Sequence, residues 1–191
     1  MALERIGFLL HITRSHGIIR RYFVVNGFDG ALTMLGIVTG FYVGDTQDLQ
    51  LVIGACVGAA IALTMSGLSS AYISERAERR KALAELEESM MADLGDSAHG
   101  SAVRWVPLLI AAVNGMAPLL LSLLIILPLA LAQWGLPLPL SPLVMAMVTA
   151  LAVIFLLGVF LGQIGQIFWL LSGAQTLIIA LCTMVIILLV G

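Results

Sequence analysis

Asp29 is the one acidic residue inside the long apolar stretches of this chain, and Asn26, Thr33, Gly36 and Gly40 recur around it at helical spacing. Residues three and four apart share a helix face, so these five form one line, which Tyr22 extends toward the amino terminus. A carboxylate near the middle of a bilayer costs roughly 2.5–3.5 kcal/mol on insertion scales, so such a residue faces a protein interior or a watery path and is read first as a functional group. Two kinds of chemistry fit it. Carboxylate oxygen ligates divalent cations, and a carboxylate held away from water takes up a proton more readily. A metal needs the deprotonated form, so metal and proton compete at the same oxygen, which is the minimum that exchanging one for the other requires. A helix-packing seam explains Thr33, Gly36 and Gly40, but Asn or Ser would serve as polar glue at lower cost than Asp.

Met65 and Ser69 lie one turn apart in the next apolar stretch and could face the same path as Asp29. A thioether is a soft ligand, useful to a transition metal and useless to magnesium or calcium. Beyond them the run Glu75–Asp93 consists almost wholly of good helix formers, without proline or glycine up to Leu94, and predicts a long helix leaving the membrane. It carries two Glu-x-x-Glu pairs, Glu75/Glu78 and Glu85/Glu88. Glu75 has Arg79 one turn on, and Glu78 has Arg80 or Lys81, which reads as a solvated helix laced with ion pairs. Glu85, Glu88 and Asp93 lie beyond the basic cluster without such partners, so they are the candidates for capturing metal, with Glu87, Met90, Met91 and His99 nearby.

The elements that must hold these residues follow from composition: 61% hydrophobic and 10% charged over 191 residues, with a mean hydropathy of +1.10. A spanning helix needs about 20 apolar residues to cross roughly 30 Å of hydrocarbon. Five stretches qualify: Tyr22–Gly44, Leu51–Tyr72, Val106–Ala132, Leu143–Leu161 and Ile167–Val190. All nine Lys and Arg residues precede the first span or lie between the second and third. Five spans put both segments on one face, which the positive-inside rule assigns to the cytoplasm. The expected fold is an all-α, multi-pass integral membrane protein with five transmembrane helices, a cytoplasmic amino terminus and a second helix extended into the cytoplasm. Its organisation reads as an interfacial amphipathic helix over 1–21, the first two spans over 22–74, a short acidic helical insert over 75–104 and the last three spans over 105–191. In a prokaryote the expected location is the cell membrane.

Several function classes drop out. Few basic residues, mixed with acids, exclude a nucleic-acid interface. No nucleophile, base and orienting group stand within reach in the spans, so no enzyme and no catalytic residue is expected. Cys56 and Cys182 lie within spans and are read as packing residues rather than a disulfide framework. His11 and His16 read as solvated interfacial residues. The chain has no short leader with a small-residue cleavage site, so the first span is expected to remain. In the third span, Asn114 and Pro118 suggest a kink, while Gly158 and Gly162 form a Gly-x-x-x-Gly pair that permits close helix contact. Ser172 and Thr176, with Gln163, Gln166 and Gln175, are read as turn and packing groups.

Asn26-Gly27-Phe28-Asp29-Gly30-Ala31-Leu32-Thr33, followed by Gly36 and Gly40, resembles the Gly-x-x-Asp-Gly-x-x-Thr opening of the vacuolar iron transporter family. The second span, with a methionine, a glycine and Tyr72-x-Ser74 before an acidic helix, is similar to that family's second, and Asn114-Gly115-Met116-Ala117-Pro118-Leu119 to its third. The resemblance covers about the first 130 residues by motif and the rest by span count. It departs at Ala71, where the family has a glutamate before the tyrosine, and in an insert of only 30 residues from Glu75 to Arg104. The resemblance implies a homodimer whose protomers line a path with their first two spans. It also implies a site containing Asp29 and Met65, and cytoplasmic acids that capture metal.

Together these readings predict a transporter that exports Fe2+ or Mn2+ from the cytoplasm against protons. Asn26, Asp29, Thr33, Met65 and Ser69 would line the path, Asp29, Met65, Glu85, Glu88 and Asp93 would bind metal, and the metal would be cargo rather than a cofactor. The expected partners are the metal ion, protons, the lipid bilayer and a second copy of the chain. The competing expectation is a non-transporting membrane scaffold or regulatory subunit in which Asp29 forms a buried interhelical hydrogen bond.

Overall fold

The computed structural model describes residues 16–190, and every regular element in them is a helix. These are α1 (His16–Val43), α2 (Leu49–Met90), α3 (Ala98–Gln133), α4 (Pro142–Ile164) and α5 (Trp169–Val190). All five are long and apolar enough to cross a membrane. The 42 residues of α2 make a rod of roughly 63 Å at 1.5 Å per residue. Only about half of that length is needed to cross the hydrocarbon, so the expected extension beyond the second span is present. Most of the interfacial helix expected over 1–21, and the side chains of His11 and His16, lie outside the described residues. Residues 17–21 continue directly into α1.

The helix ends follow from local chemistry. Asp48 accepts hydrogen bonds from the amides of Gln50 (2.9 Å) and Leu51 (3.1 Å) at the start of α2. These are among the amides that a helix cannot satisfy internally. Ser97 does the same for α3, accepting from His99 (3.1 Å) and Gly100 (3.3 Å). The second helix stops at Met90, four residues short of the uninterrupted stretch, because Met91 adopts the left-handed conformation (φ 49°). The Ala92 amide then closes back on the Glu87 carbonyl at 3.2 Å. Pro142 opens α4 at a position where its missing N–H costs nothing.

Contacts group the chain into two compact units, one of residues 16–23 and 64–116, the other of 24–63 and 117–190. The first contains the start of α1, the second half of α2 and the first half of α3. Its core is Ala71, Ala102, Val106, Ile110 and Ala111, flanked by Ile18, Ile19, Tyr22 and Leu68. Small residues bring α2 and α3 together there: a Cβ added at Gly115 would lie 2.8 Å from the Thr64 carbonyl oxygen. Asn114 is buried and donates to the Gly67 carbonyl at 2.8 Å. Its role in this unit is to tie α3 to α2, which gives the polar residue of the third span a packing explanation.

The second unit holds the rest of α1, the first half of α2, the second half of α3, and all of α4 and α5. Met34, Leu35, Val38, Ile125, Leu129 and Ile154 fill its core. A Cβ at Gly30 would lie 2.8 Å from Pro118 Cα, so α1 and α3 touch backbone to backbone. The Gly158/Gly162 pair works in the same way between α4 and α5, where a Cβ at Gly162 would lie 2.8 Å from Ser172 Cβ. Thr176 donates to the Ile154 carbonyl across that contact at 3.2 Å. Ser172 and Thr176 are thus packing groups, as expected. Cys56 is buried, but Cys182 is exposed, so the packing role expected for both holds for Cys56 alone within this chain.

Candidate functional site

The face that α1 turns inward carries Gly27, Gly30, Ala31, Met34, Leu35 and Val38. Opposite lies the expected polar line. Asp29 is exposed, Asn26, Thr33 and Gly36 are half-buried, and Gly40 opens on space with nothing within 4 Å of a Cβ. Val25, one turn before Asp29, is 52% exposed. The carboxylate is therefore presented on the surface of its unit rather than locked against a neighbouring helix.

Thr33 donates its hydroxyl proton to the Asp29 backbone carbonyl at 2.6 Å. A hydroxyl whose proton is committed in this way offers only lone pairs outward, which suits a cation. Ser69, in the other unit, repeats the arrangement by donating to the Met65 carbonyl at 2.8 Å. The Met65 side chain is 60% exposed, and Ser66, Ser69 and Ser70 share its exposed side of α2. Asp29, Asn26 and Thr33 belong to the second unit, while Met65, Ser69 and the acidic stretch belong to the first.

The acids after the second span sort differently from the expectation. Glu75 is buried and pairs with Arg79 at 3.5 Å, as the spacing predicts, and also hydrogen-bonds with Tyr22. Glu85 is not free of partners: Lys81 lies 3.9 Å away, four residues back on the same face. That pair is largely exposed, so it is weak. Asp93 accepts from the Gly95 amide (2.8 Å) and Glu87 from the Leu94 amide (2.9 Å), so both shape the turn between α2 and α3. Glu88 is exposed at the end of α2. Among the described residues, no three His, Cys, Asp or Glu side chains gather closely enough to hold a metal.

One feature went unread in the sequence. Arg76, Arg80 and Arg104 line a cavity of about 340 Å³ in the first unit. In the sequence they read only as topology signals under the positive-inside rule, because their convergence depends on how the chain turns at Gly95 and Gly100.

The fold and the placement of these residues define a class: an all-helical chain with five apolar helices of membrane-spanning length. No protein-family model matches the chain, and no solved structure matches it. The chain is similar to an uncharacterized protein of Methanocaldococcus jannaschii, 26% identical over 159 residues that cover 81% of this chain and 79% of that relative.

Proposed function

We propose that the protein moves a divalent transition metal, Fe2+ or Mn2+, out of the cytoplasm in exchange for protons, along a path between two copies of the chain centred on Asp29. One observation carries the reading: an exposed carboxylate on an apolar helix of membrane-spanning length. Facing lipid, Asp29 would bear the insertion cost of a charge in hydrocarbon. A second copy meeting the same face removes it from lipid, and two-fold symmetry then brings two carboxylates to one axis. Their combined charge is neutralised equally by one divalent cation or by two protons. Such a site alternates between loads without holding net charge in the membrane, and proton binding displaces metal.

Thr33 and Asn26 supply neutral oxygen beside the carboxylate. Met65, exposed on α2, offers a soft thioether that favours a transition metal over magnesium, and the resemblance implies that it serves as a ligand. The likeness of the Asn26–Thr33 segment to the vacuolar iron transporter opening supports the same assignment. A scaffold that used Asp29 as glue within one protomer would set the carboxylate against a neighbouring helix, whereas Asp29 is exposed.

The test is metal flux into proteoliposomes that trap a metal-sensitive dye. The proposal expects Fe2+ or Mn2+ entry that responds to an imposed pH gradient and falls at least tenfold in Asp29→Asn. Flux unchanged by that substitution removes Asp29 from the path, and absence of flux for every divalent metal favours the scaffold.

A further inference from the structure

The cavity that Arg76, Arg80 and Arg104 share lies entirely within the first unit. Its three guanidinium groups come from two helices, two from successive turns of α2 and one from the first turns of α3. No carboxylate lines the cavity itself; Asp93 stands just behind it, bound to the Gly95 amide at 2.8 Å. Among the described residues, the ion pairs of this region are Arg79 with Glu75 and Lys81 with Glu85, and neither uses these three arginines. These exposed like charges repel one another only weakly in water, and an anion that joins them gains from all three.

The cavity is also arranged for a particular kind of anion. Arg76 stacks over the Tyr72 ring at 5.6 Å and donates to its hydroxyl at 3.1 Å, which fixes one fork of donors in place. Arginine forks match phosphate oxygens in pairs. Gly95 and Gly100 close one side with their amides already donated to Asp93 and Ser97, which leaves the arginines as the donors for an anion. Leu83 and Val103 make another part of the lining apolar. Trp105, 59% exposed beside Arg104, has the character of a residue at a membrane interface. All nine basic residues fall on the side that the span count makes cytoplasmic, where anionic headgroups attract them.

We propose that Arg76, Arg80 and Arg104 form a binding site for a phosphate group, carried by the headgroup of an anionic phospholipid or by a soluble phosphate compound. The site is separate from Asp29, and its existence does not depend on metal transport.

The experiment uses the full chain in two arms. In nanodiscs of phosphatidylcholine with and without phosphatidylglycerol, native mass spectrometry measures retained anionic lipid. In neutral detergent, calorimetry measures binding of inorganic phosphate. Retention of phosphatidylglycerol assigns the source to lipid, and phosphate binding without lipid retention assigns it to a soluble compound; either supports the site. Arg76→Gln, Arg80→Gln and Arg104→Gln should each weaken binding about fivefold. Lys81→Gln removes the same charge from an exposed residue outside the cavity and should leave binding unchanged. Arg76→Lys keeps the charge but loses the fork, and should fall between. All three arginines are exposed, so the variants should unfold at the parent temperature without ligand; where one does not, the Lys variant at that position replaces it. Binding in neither arm, or equal losses in Lys81→Gln and Arg80→Gln, overturns the proposal.

Discussion

Asp29 and Glu75 are both carboxylates on apolar helices, and their surroundings give them opposite work. Glu75 is buried between Tyr22 and Arg79, so its charge is answered inside the protein. Removing it takes this counter-charge from the largely buried Arg79 side chain, and Glu75→Gln should lower stability by about 2 kcal/mol, measured by denaturant unfolding in detergent. Asp29 is exposed, so Asp29→Asn should leave stability nearly unchanged while abolishing exchange. If Asp29→Asn destabilises as much as Glu75→Gln, the carboxylate is structural. Further along α2, if the acids there capture metal as the sequence suggests, Glu85→Gln combined with Glu88→Gln should weaken metal binding more than Glu75→Gln does, read by calorimetry on the folded variants. Loss of the exposed Lys81 pair should cost only about 0.5 kcal/mol. Equal effects on metal binding would reduce these acids to a diffuse negative field.

At the scale of helices, contact is set by missing side chains. Gly30 against Pro118 and Gly162 against Ser172 bring backbones close enough that a methyl group has no room. Gly30→Ala should therefore destabilise by roughly 1–3 kcal/mol through overpacking, whereas Gly40→Ala, which opens on space, should be neutral in thermal unfolding of the monomer. The five helices were legible because span length and hydropathy are local properties: α4 and α5 agree with the expected spans to within a few residues. The polar line of α1 was legible for the same reason, since spacing three and four fixes a shared face. What was not legible depends on the return of the chain. Neither the turn at Met91 nor the meeting of Arg76 and Arg80 with Arg104 leaves a periodic trace. Glu85 was expected to lack a partner because its nearest cation precedes it; a Lys-to-Glu pair in that order is the weaker orientation, yet Lys81 reaches it.

For the whole molecule, the proposed function places a second copy against the exposed features of α1 and α2. Gly54, Gly58 and Ala62 share the exposed side of α2 with Leu51, Ile61 and Met65, an apolar face with small residues that permit close approach, and Asp29 and Gly40 lie on the exposed side of α1. In a chain lacking its own cysteines, Gly40→Cys should form a disulfide-linked dimer under mild oxidation, seen as a doubled mass on non-reducing gels. Val148→Cys, on an exposed position of α4, should remain monomeric. Dimers of the α4 variant alone would place the interface elsewhere and leave Asp29 facing lipid. Exchange of metal for protons at Asp29 is the core of the proposed function. It is tested most directly by adding Mn2+ outside proteoliposomes that hold a pH dye, with no gradient imposed, and following metal and proton together. Mn2+ entry should make the lumen more alkaline, because protons leave as metal arrives, and Asp29→Asn should abolish both signals. Mn2+ entry with no change in internal pH, or entry at the parent rate in Asp29→Asn, would contradict it.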